Sequence, residues 1–368
     1  MWKSSPRRSP RSAAVILSLL LLAIIAMGCY PSHPMSTFDT AGPIAQMQLN
    51  LFYIIFWTAV VVFVVVEGAL VYAMVKFRRR PGQSLPKQTH GNERLEIAWT
   101  IAPTLILAAI AVPTIITIFD TATLPPGEVL EVRVTGHQWW FEFDYPELGI
   151  STANELHVPV GMTVNLALES DDVIHSFWVP KLFGKTDLLP GTTNTMWFSA
   201  DEAGNFYGQC AEFCGSAHAQ MRFRVIAEDE ASFNEWVANQ QAPAVRPGSG
   251  TQAALGQRVF GLNGCGTCHT MSGSEPEDVQ ENRMDAFMDR EEGAMSPYPA
   301  PNLTHFASRS TFAGSIADLT ESNLRLWLED PSNLKPGTRM KELAVAYNPM
   351  NLGSEELDQL IAYLTSLE

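Results

Sequence analysis

Three stretches of the chain are dominated by apolar positions: residues 13–27 (AAVILSLLLLAIIAM), 51–75 (LFYIIFWTAVVVFVVVEGALVYAMV) and 97–118 (IAWTIAPTLILAAIAVPTIITI). The second and third reach the ~20 residues that carry a helix across a hydrocarbon core, so the pattern predicts two membrane spans; the first falls short. From about residue 127 to 228 the pattern changes to short β-rich runs: VLEVRVTGHQWWFEFDY, NELHVPV, VNLALES, TNTMWFSA, NFYGQC and MRFRVIA, punctuated by Gly, Pro, Asn and Asp. Runs of that length and spacing predict an all-β sandwich or barrel. EASFNEWVANQ then reads as a short helix and QQAPAVRPGSG as a linker. Beyond it the period is helical in LGQRVFGLNGC, ESNLRLWLED and SEELDQLIAYLTSL, the last opened by Gly353, Ser354 and Glu356. Residues 272–300, rich in acid, Pro and Met, predict an exposed insertion with little core. The expected divisions are 1–28, a signal segment; 29–120, the two spans; 121–240, the β domain; 241–250, the linker; and 251–368, the helical domain.

Charge orients these pieces. Lys76, Arg78, Arg79, Arg80, Lys87 and Arg94 lie between the two spans and predict a cytoplasmic loop, which puts everything after residue 120 on the outer side. The chain carries 39 acidic and 24 basic residues, a net −15, and its last 118 residues carry 17 acidic against 8 basic, a net −9. That balance argues against nucleic acid and for a solvated outer domain or a cationic partner. The first apolar run follows Lys3, Arg7, Arg8 and Arg11 and precedes Gly28-Cys29, which resembles a bacterial lipoprotein signal cleaved to leave Cys29 for lipidation. Ala26 stands where Leu is usual in such signals, and a retained membrane anchor is the alternative. Glu67 sits within a span, where a carboxyl is costly unless it faces protein or a water cavity, so these helices are expected to pack against a partner.

Two motifs carry chemistry. CGTCH, Cys265 to His269, has the c-type haem attachment spacing: two thiols for thioethers to the haem vinyl groups and an adjacent axial imidazole. QCAEFCGSAHAQM, Gln209 to Met221, gathers Cys210, Cys214, His218 and Met221, with His175 upstream in DVIHSFWVP. Such a set suits copper, although two Cys and two His also close a tetrahedral zinc site. An exported Cys pair is often a disulfide, but a disulfide needs neither His nor Met. A single-copper site uses one thiolate, whereas two bridging thiolates with a terminal His on each of two metals account for all of these residues.

DVIHSFWVP, KLFGKTDLLPG and YGQCAEFCGSAHAQM resemble the copper domain of the cytochrome c oxidase subunit II family, and LEIAWTIAP and VTGHQWWFEFDY match its second membrane helix and first strand. The helical domain is similar to the cytochrome c fused to this subunit in certain bacterial oxidases. The resemblance implies a multidomain fold: a two-helix transmembrane hairpin, an all-β cupredoxin-like sandwich and an all-α class I cytochrome c domain. It implies a dinuclear copper centre (CuA) bridged by Cys210 and Cys214, with His175 and His218 as terminal ligands and Met221 and the Glu212 carbonyl as weak ones. The Glu212 side chain would point to a magnesium shared with the catalytic subunit. Trp139 would be the aromatic residue through which electrons reach the copper, although Trp140 and Phe141 depart from the family pattern, and Glu96 would stand at a proton-channel mouth. His137, His157 and His305 are assigned to no metal.

For the sixth ligand of the haem iron, Met271 is too near His269 to reach the opposite haem face, and Met284, Met288 and Met295 fall in the acidic insertion. The family pattern favours Met340, after a Pro-Gly turn, while Lys341, where Pro usually follows, keeps Met350 open. The function implied is relay: from a donor such as a cytochrome c or a quinol-oxidising complex, through haem c and CuA, to a haem-copper subunit I that reduces oxygen. The expected location is a bacterial plasma membrane, two-pass, with the copper and haem domains on the periplasmic or outer side. The rivals are the electron-input subunit of a nitric oxide reductase, a nitrous oxide reductase, a membrane-tethered copper chaperone and a tethered carrier without a catalytic partner.

Overall fold

The computed structural model describes residues 16–22, 33–82, 88–271, 300–347 and 352–368. Cys29, Met350 and residues 272–299 of the expected insertion lie outside the described residues. Helices α1 (Pro43–Lys76, 34 residues) and α2 (Glu93–Ala122, 30 residues) contain the two predicted spans and overrun them at both ends. At the α-helical rise they are about 50 Å and about 45 Å long against a hydrocarbon core of ~30 Å, so both project from the membrane. The surplus at the start of α1 docks on the β domain: Ala45 N donates to the Leu182 carbonyl at 3.1 Å, Ala41 N to that of Lys181 at 2.8 Å, and Ile44 and Ala45 are buried there. The apolar stretches of both spans are unburied within this chain, and Glu67 is exposed among them. Glu96 lies in the first turn of α2, where its Oε1 accepts Asn92 N at 3.2 Å while Asn92 Oδ1 accepts Leu95 N at 3.3 Å, a reciprocal helix cap.

Ten strands follow: β1 (Val129–His137), β2 (Trp140–Tyr145), β3 (Ile150–Ala153), β4 (Glu155–Pro159), β5 (Thr163–Ser170), β6 (His175–Trp178), β7 (Thr186–Leu188), β8 (Asn194–Phe198), β9 (Gly204–Cys210) and β10 (Arg222–Glu228). They make two five-stranded sheets, ordered β3-β2-β1-β5-β8 and β4-β10-β9-β6-β7, parallel at β1/β5 and β4/β10 and antiparallel elsewhere. Aromatic side chains fill the space between them: Phe141, Phe143, Phe177 and Phe223 are all fully buried, the last two stacked with centroids 4.2 Å apart. The run from Val129 to Tyr145, expected as one strand, is two. The chain folds back at Gln138–Trp139, so that His137 pairs with Trp140. No Gly, Pro, Asn or Asp marks this turn, which is why the apolar pattern concealed it.

Helix α3 (Glu230–Gln241), capped by Asp229 through Ala231 N and Ser232 N, leads out of the sandwich. The C-terminal domain contains α4 (Gln252–Leu262), α5 (Glu321–Glu329), α6 (Arg339–Leu343), α7 (Ser354–Leu364) and a small hairpin of β11 (Thr311–Phe312) and β12 (Ala317–Asp318). Helices α4 and α7 cross at Gly256, where any Cβ would strike the backbone of Gln359; Gly256→Ala therefore costs about 1–3 kcal/mol through overpacking. The segment expected as a linker is packed in part: Ala244 is buried in the core of this domain, and His305 joins Ala242 to the C-terminus through bonds to the Ala242 carbonyl (2.8 Å) and the Glu368 carbonyl (2.9 Å).

Candidate copper and haem sites

The first site is made by a loop and the ends of two neighbouring strands. Strand β9 ends at Cys210, the following loop carries Glu212, Cys214, His218 and Met221, and β6, next to β9 in its sheet, begins at His175. Cys210 Sγ lies 3.7 Å from Cys214 Sγ, 3.9 Å from His175 Nδ1 and 3.2 Å from the Glu212 carbonyl oxygen. Cys214 Sγ lies 3.5 Å from His218 Nδ1 and 3.8 Å from Met221 Sδ. The two sulfurs thus stand at the centre, and each has its own imidazole neighbour. The sulfur separation is far beyond a disulfide bond. His175, Cys210, Cys214 and Met221 are buried. The two thiols are in contact, and sharing one proton between them pushes the Cys210 pKa down and the Cys214 pKa up, so that one sulfur ionises readily and the second is held protonated beside it.

Surrounding groups orient these side chains. His175 Nε2 is 2.8 Å from Asp172 Oδ1, leaving Nδ1 toward the sulfurs, and Asp172 Oδ2 accepts Gln138 N at 2.7 Å. Burial alone would raise the Asp172 pKa; the hydrogen bonds from His175, Val173 and Gln138 outweigh it and hold the carboxyl below its usual range. Gly136 makes room for the His175 ring, because a Cβ there would lie 2.7 Å from its Cδ2. The β1–β2 turn grips the ligand loop: Gln138 Nε2 and Trp139 Nε1 both donate to the Cys214 carbonyl, at 2.8 Å and 3.0 Å. Asp172 and Gln138 were not singled out in the sequence; the only local signal was an acid three residues before His175.

The second site is a cleft in the C-terminal domain. After α4, Gly264 (φ 68°) turns the chain into a single 3-10 turn, Cys265–Thr267, which sets Cys265, Cys268 and His269 along the cleft wall. His269 Nδ1 donates to the Pro301 carbonyl at 2.8 Å, fixing the tautomer with Nε2 unprotonated, and burial pushes its pKa down so that the ring stays neutral. Leu324, Trp327, Leu328 and Leu364 line the cleft, and so does Met340, carried on α6. Lys341, where the family pattern has Pro, pairs with Asp330 at 3.1 Å. The cleft extends across the domain boundary to Gln138, Trp139 and Trp140. His137 and His157 lie elsewhere, paired with Glu142 (3.0 Å) and Glu228 (2.9 Å).

Three family models match the chain in order: "Cytochrome C oxidase subunit II, transmembrane domain" over residues 32–116, "Cytochrome C oxidase subunit II, periplasmic domain" over 149–228 and "Cytochrome c" over 253–368. Cytochrome c oxidase subunit 2 of Alkalihalophilus pseudofirmus is 35% identical over 374 residues, covering 100% of this chain and 98% of that protein. Cytochrome c oxidase subunit 2 of Bacillus sp. PS3 is 35% identical over 363 residues, covering 95% of each. Among solved structures, the periplasmic domain of cytochrome oxidase subunit II from Bradyrhizobium japonicum is 32% identical and covers 32% of this chain and 97% of that one, with a TM-score of 0.31.

The two matched domains imply CuA copper and haem c, and the residues present fit both groups. The first site offers soft sulfur and imidazole donors within reach of one another; the ligand atoms of His175, Cys210 and Cys214 all lie within 4.8 Å. The second offers two free thiols and a neutral, oriented imidazole in an apolar cleft. Matched from end to end at this identity, with two apolar helices, a sandwich and a helical haem-type domain in the family's order, the chain belongs to the cytochrome c oxidase subunit II family, in the form that carries a C-terminal cytochrome c domain.

Proposed function

We propose that this membrane-anchored oxidoreductase subunit accepts electrons in its C-terminal domain and passes them through Trp139 to the copper loop, from which they leave for a haem-copper subunit I that reduces oxygen to water. Bound haem c and CuA would each supply a one-electron carrier. The observation that carries the reading is the position of Trp139: it lines the cleft for haem and donates its indole N–H to the Cys214 carbonyl. Cys265 and Cys268 would attach the haem, with His269 and Met340 as axial ligands. Cys210 and Cys214 would bridge the coppers; His175, His218, Met221 and the Glu212 carbonyl would complete them. Asp172 holds His175 in the orientation this needs.

Several finer assignments come from the family pattern: a magnesium at Glu212, a proton-channel mouth at Glu96, a lipid on Cys29, and copper and haem domains on the periplasmic or outer side. Full-length similarity to proteins named cytochrome c oxidase subunit 2 favours oxygen over nitric oxide as the partner's substrate and disfavours a copper chaperone. The donor would be a protein such as a cytochrome c or a quinol-oxidising complex. The test is composition. The purified complex should carry two coppers on this subunit with a mixed-valence signal shared between them, and one covalent haem. Zinc, or a single copper with a one-copper signal, would overturn the copper assignment.

A further inference from the structure

The C-terminal domain inserts a short tongue, residues 310–315, against the sandwich. Glu155, at the start of β4 and 2% exposed, receives four donors from this tongue: Ser310 N at 3.1 Å, Ser310 Oγ at 2.6 Å, Thr311 N at 2.7 Å and Thr311 Oγ1 at 2.7 Å. At the tip, Ala313, Gly314 and Ser315 all have positive φ (55°, 78° and 52°), a conformation that costs the two non-glycine residues strain and persists only where the surroundings hold it. The holding contacts are on the sandwich. Arg222 N donates to the Gly314 carbonyl at 3.0 Å and Ser315 Oγ to the Asn154 carbonyl at 3.1 Å.

A second clamp runs the opposite way. Lys335 belongs to the C-terminal domain, is 4% exposed, and donates from Nζ to the Trp139 carbonyl and to the Ala313 carbonyl at 3.1 Å, so one amine fastens the tongue to the backbone of the electron-carrying tryptophan. Gly337 of the same loop approaches the Trp139 ring, and a Cβ there would lie 3.8 Å from its Cη2, while Gly215 of the copper loop approaches the same indole. Trp139 is left 8% exposed.

A buried carboxylate is tolerable only when its acceptor sites are filled, and all of the donors named here come from one register of the tongue. A shifted docking would leave Glu155 buried with too few partners, whereas an undocked Glu155 is solvated. The clamp therefore selects geometry more than it adds affinity.

We propose that Glu155 and Lys335 are positioning residues that lock the C-terminal domain onto the copper domain in a single register, and that this lock keeps Trp139 in place for electron transfer while closing it to any external protein donor. The transfer it positions moves one electron and no proton and needs no further reactant. The inference rests on the electron route proposed above.

The test uses the intact complex with Glu155→Gln, which keeps the side-chain shape, removes the charge that strengthens the four bonds to Oε1, and puts an amide N–H in place of the Oε2 that faces Ser310 N at 3.2 Å. Two readouts are independent of turnover: amide hydrogen exchange across residues 310–315 and oxidative footprinting of Trp139. Protection of the tongue should fall at least about tenfold, as for loss of a charge-assisted hydrogen bond, and Trp139 should become modifiable. Transfer from haem to copper should slow and spread over several rates while the copper and haem spectra stay unchanged. Unchanged exchange and footprint would overturn the lock, whatever the electron route. A loosened tongue with an unchanged transfer rate would overturn the positioning role. If Glu155→Gln fails to accumulate, Lys335→Met, which removes only the second clamp, is read in the same way. A failure of the route itself appears separately, as transfer insensitive to Trp139 substitution with the tongue still protected.

Discussion

The indole N–H of Trp139 donates to the carbonyl of Cys214 at 3.0 Å, joining the turn between β1 and β2 to a cysteine of the proposed copper loop. This bond links the cleft of the C-terminal domain to the sulfur cluster through an aromatic ring, and it depends on a side chain that can both line an apolar cleft and donate one hydrogen bond. Trp139→Phe keeps an aromatic ring and removes the donor. Reduction of the copper centre should slow by at least about tenfold, the weight of one buried hydrogen bond and the packing it fixes, while reduction of the haem keeps its rate. Rapid-mixing absorbance at the two centres separates these.

Much of this site was legible because its chemistry is local. Cys210, Cys214, His218 and Met221 fall within one loop, and Cys265, Cys268 and His269 within one turn. His175 is the distant member, and the ligand count, which asks for a second histidine to match two thiolates and two metals, brought it in. The parts that could not be read are those made by chain-distant pairs with no periodic signature. Glu155 meets Thr311 across 156 positions and Lys335 meets Trp139 across 196; each looks like an ordinary charged residue in its own neighbourhood. The same holds for the fold. Long apolar runs announced α1 and α2, whereas three-residue β7 and the unmarked turn at Gln138 are set by tertiary pairing.

Asp172 would make the proposed copper site depend on a residue outside its ligand set. Its carboxylate fixes the His175 ring and, through Gln138 N, the turn that holds Trp139. Asp172→Asn should weaken copper retention about 10–100-fold, the usual effect of removing a carboxylate behind a ligating histidine. Chelator challenge followed by the copper spectrum measures it, and haem attachment should be unaffected.

Met340 lines the cleft with His269, while Met350 lies outside the described residues. Met340→Ala should abolish the weak far-red charge-transfer band of Met-ligated ferric haem and lower the haem potential. Loss of the band in Met350→Ala, with Met340→Ala unchanged, would reassign the ligand.

Burial pushes the Lys335 ammonium down from 10.5 to about 7. Undocked, the same group returns to water and to its ordinary value. Between about 7 and 10.5 the undocked form therefore binds the extra proton, so docking strengthens as pH rises through that window and weakens as pH falls, levelling off below about 7. The neutral amine retains two hydrogens, enough for the Trp139 and Ala313 carbonyls. Hydrogen exchange across residues 310–315, followed from pH 7 to 10 and corrected for intrinsic exchange, should show this rise, and Lys335→Met should flatten it.

The relay order is the central claim, and time-resolved photoreduction of the haem in the intact complex tests it most directly. In the unsubstituted protein, haem oxidation and copper reduction should proceed with one shared rate. In Cys214→Ser the copper phase should vanish and the haem should stay reduced. If instead the haem is oxidised at an unchanged rate in Cys214→Ser, electrons leave this subunit without passing through the copper loop, and the account is contradicted.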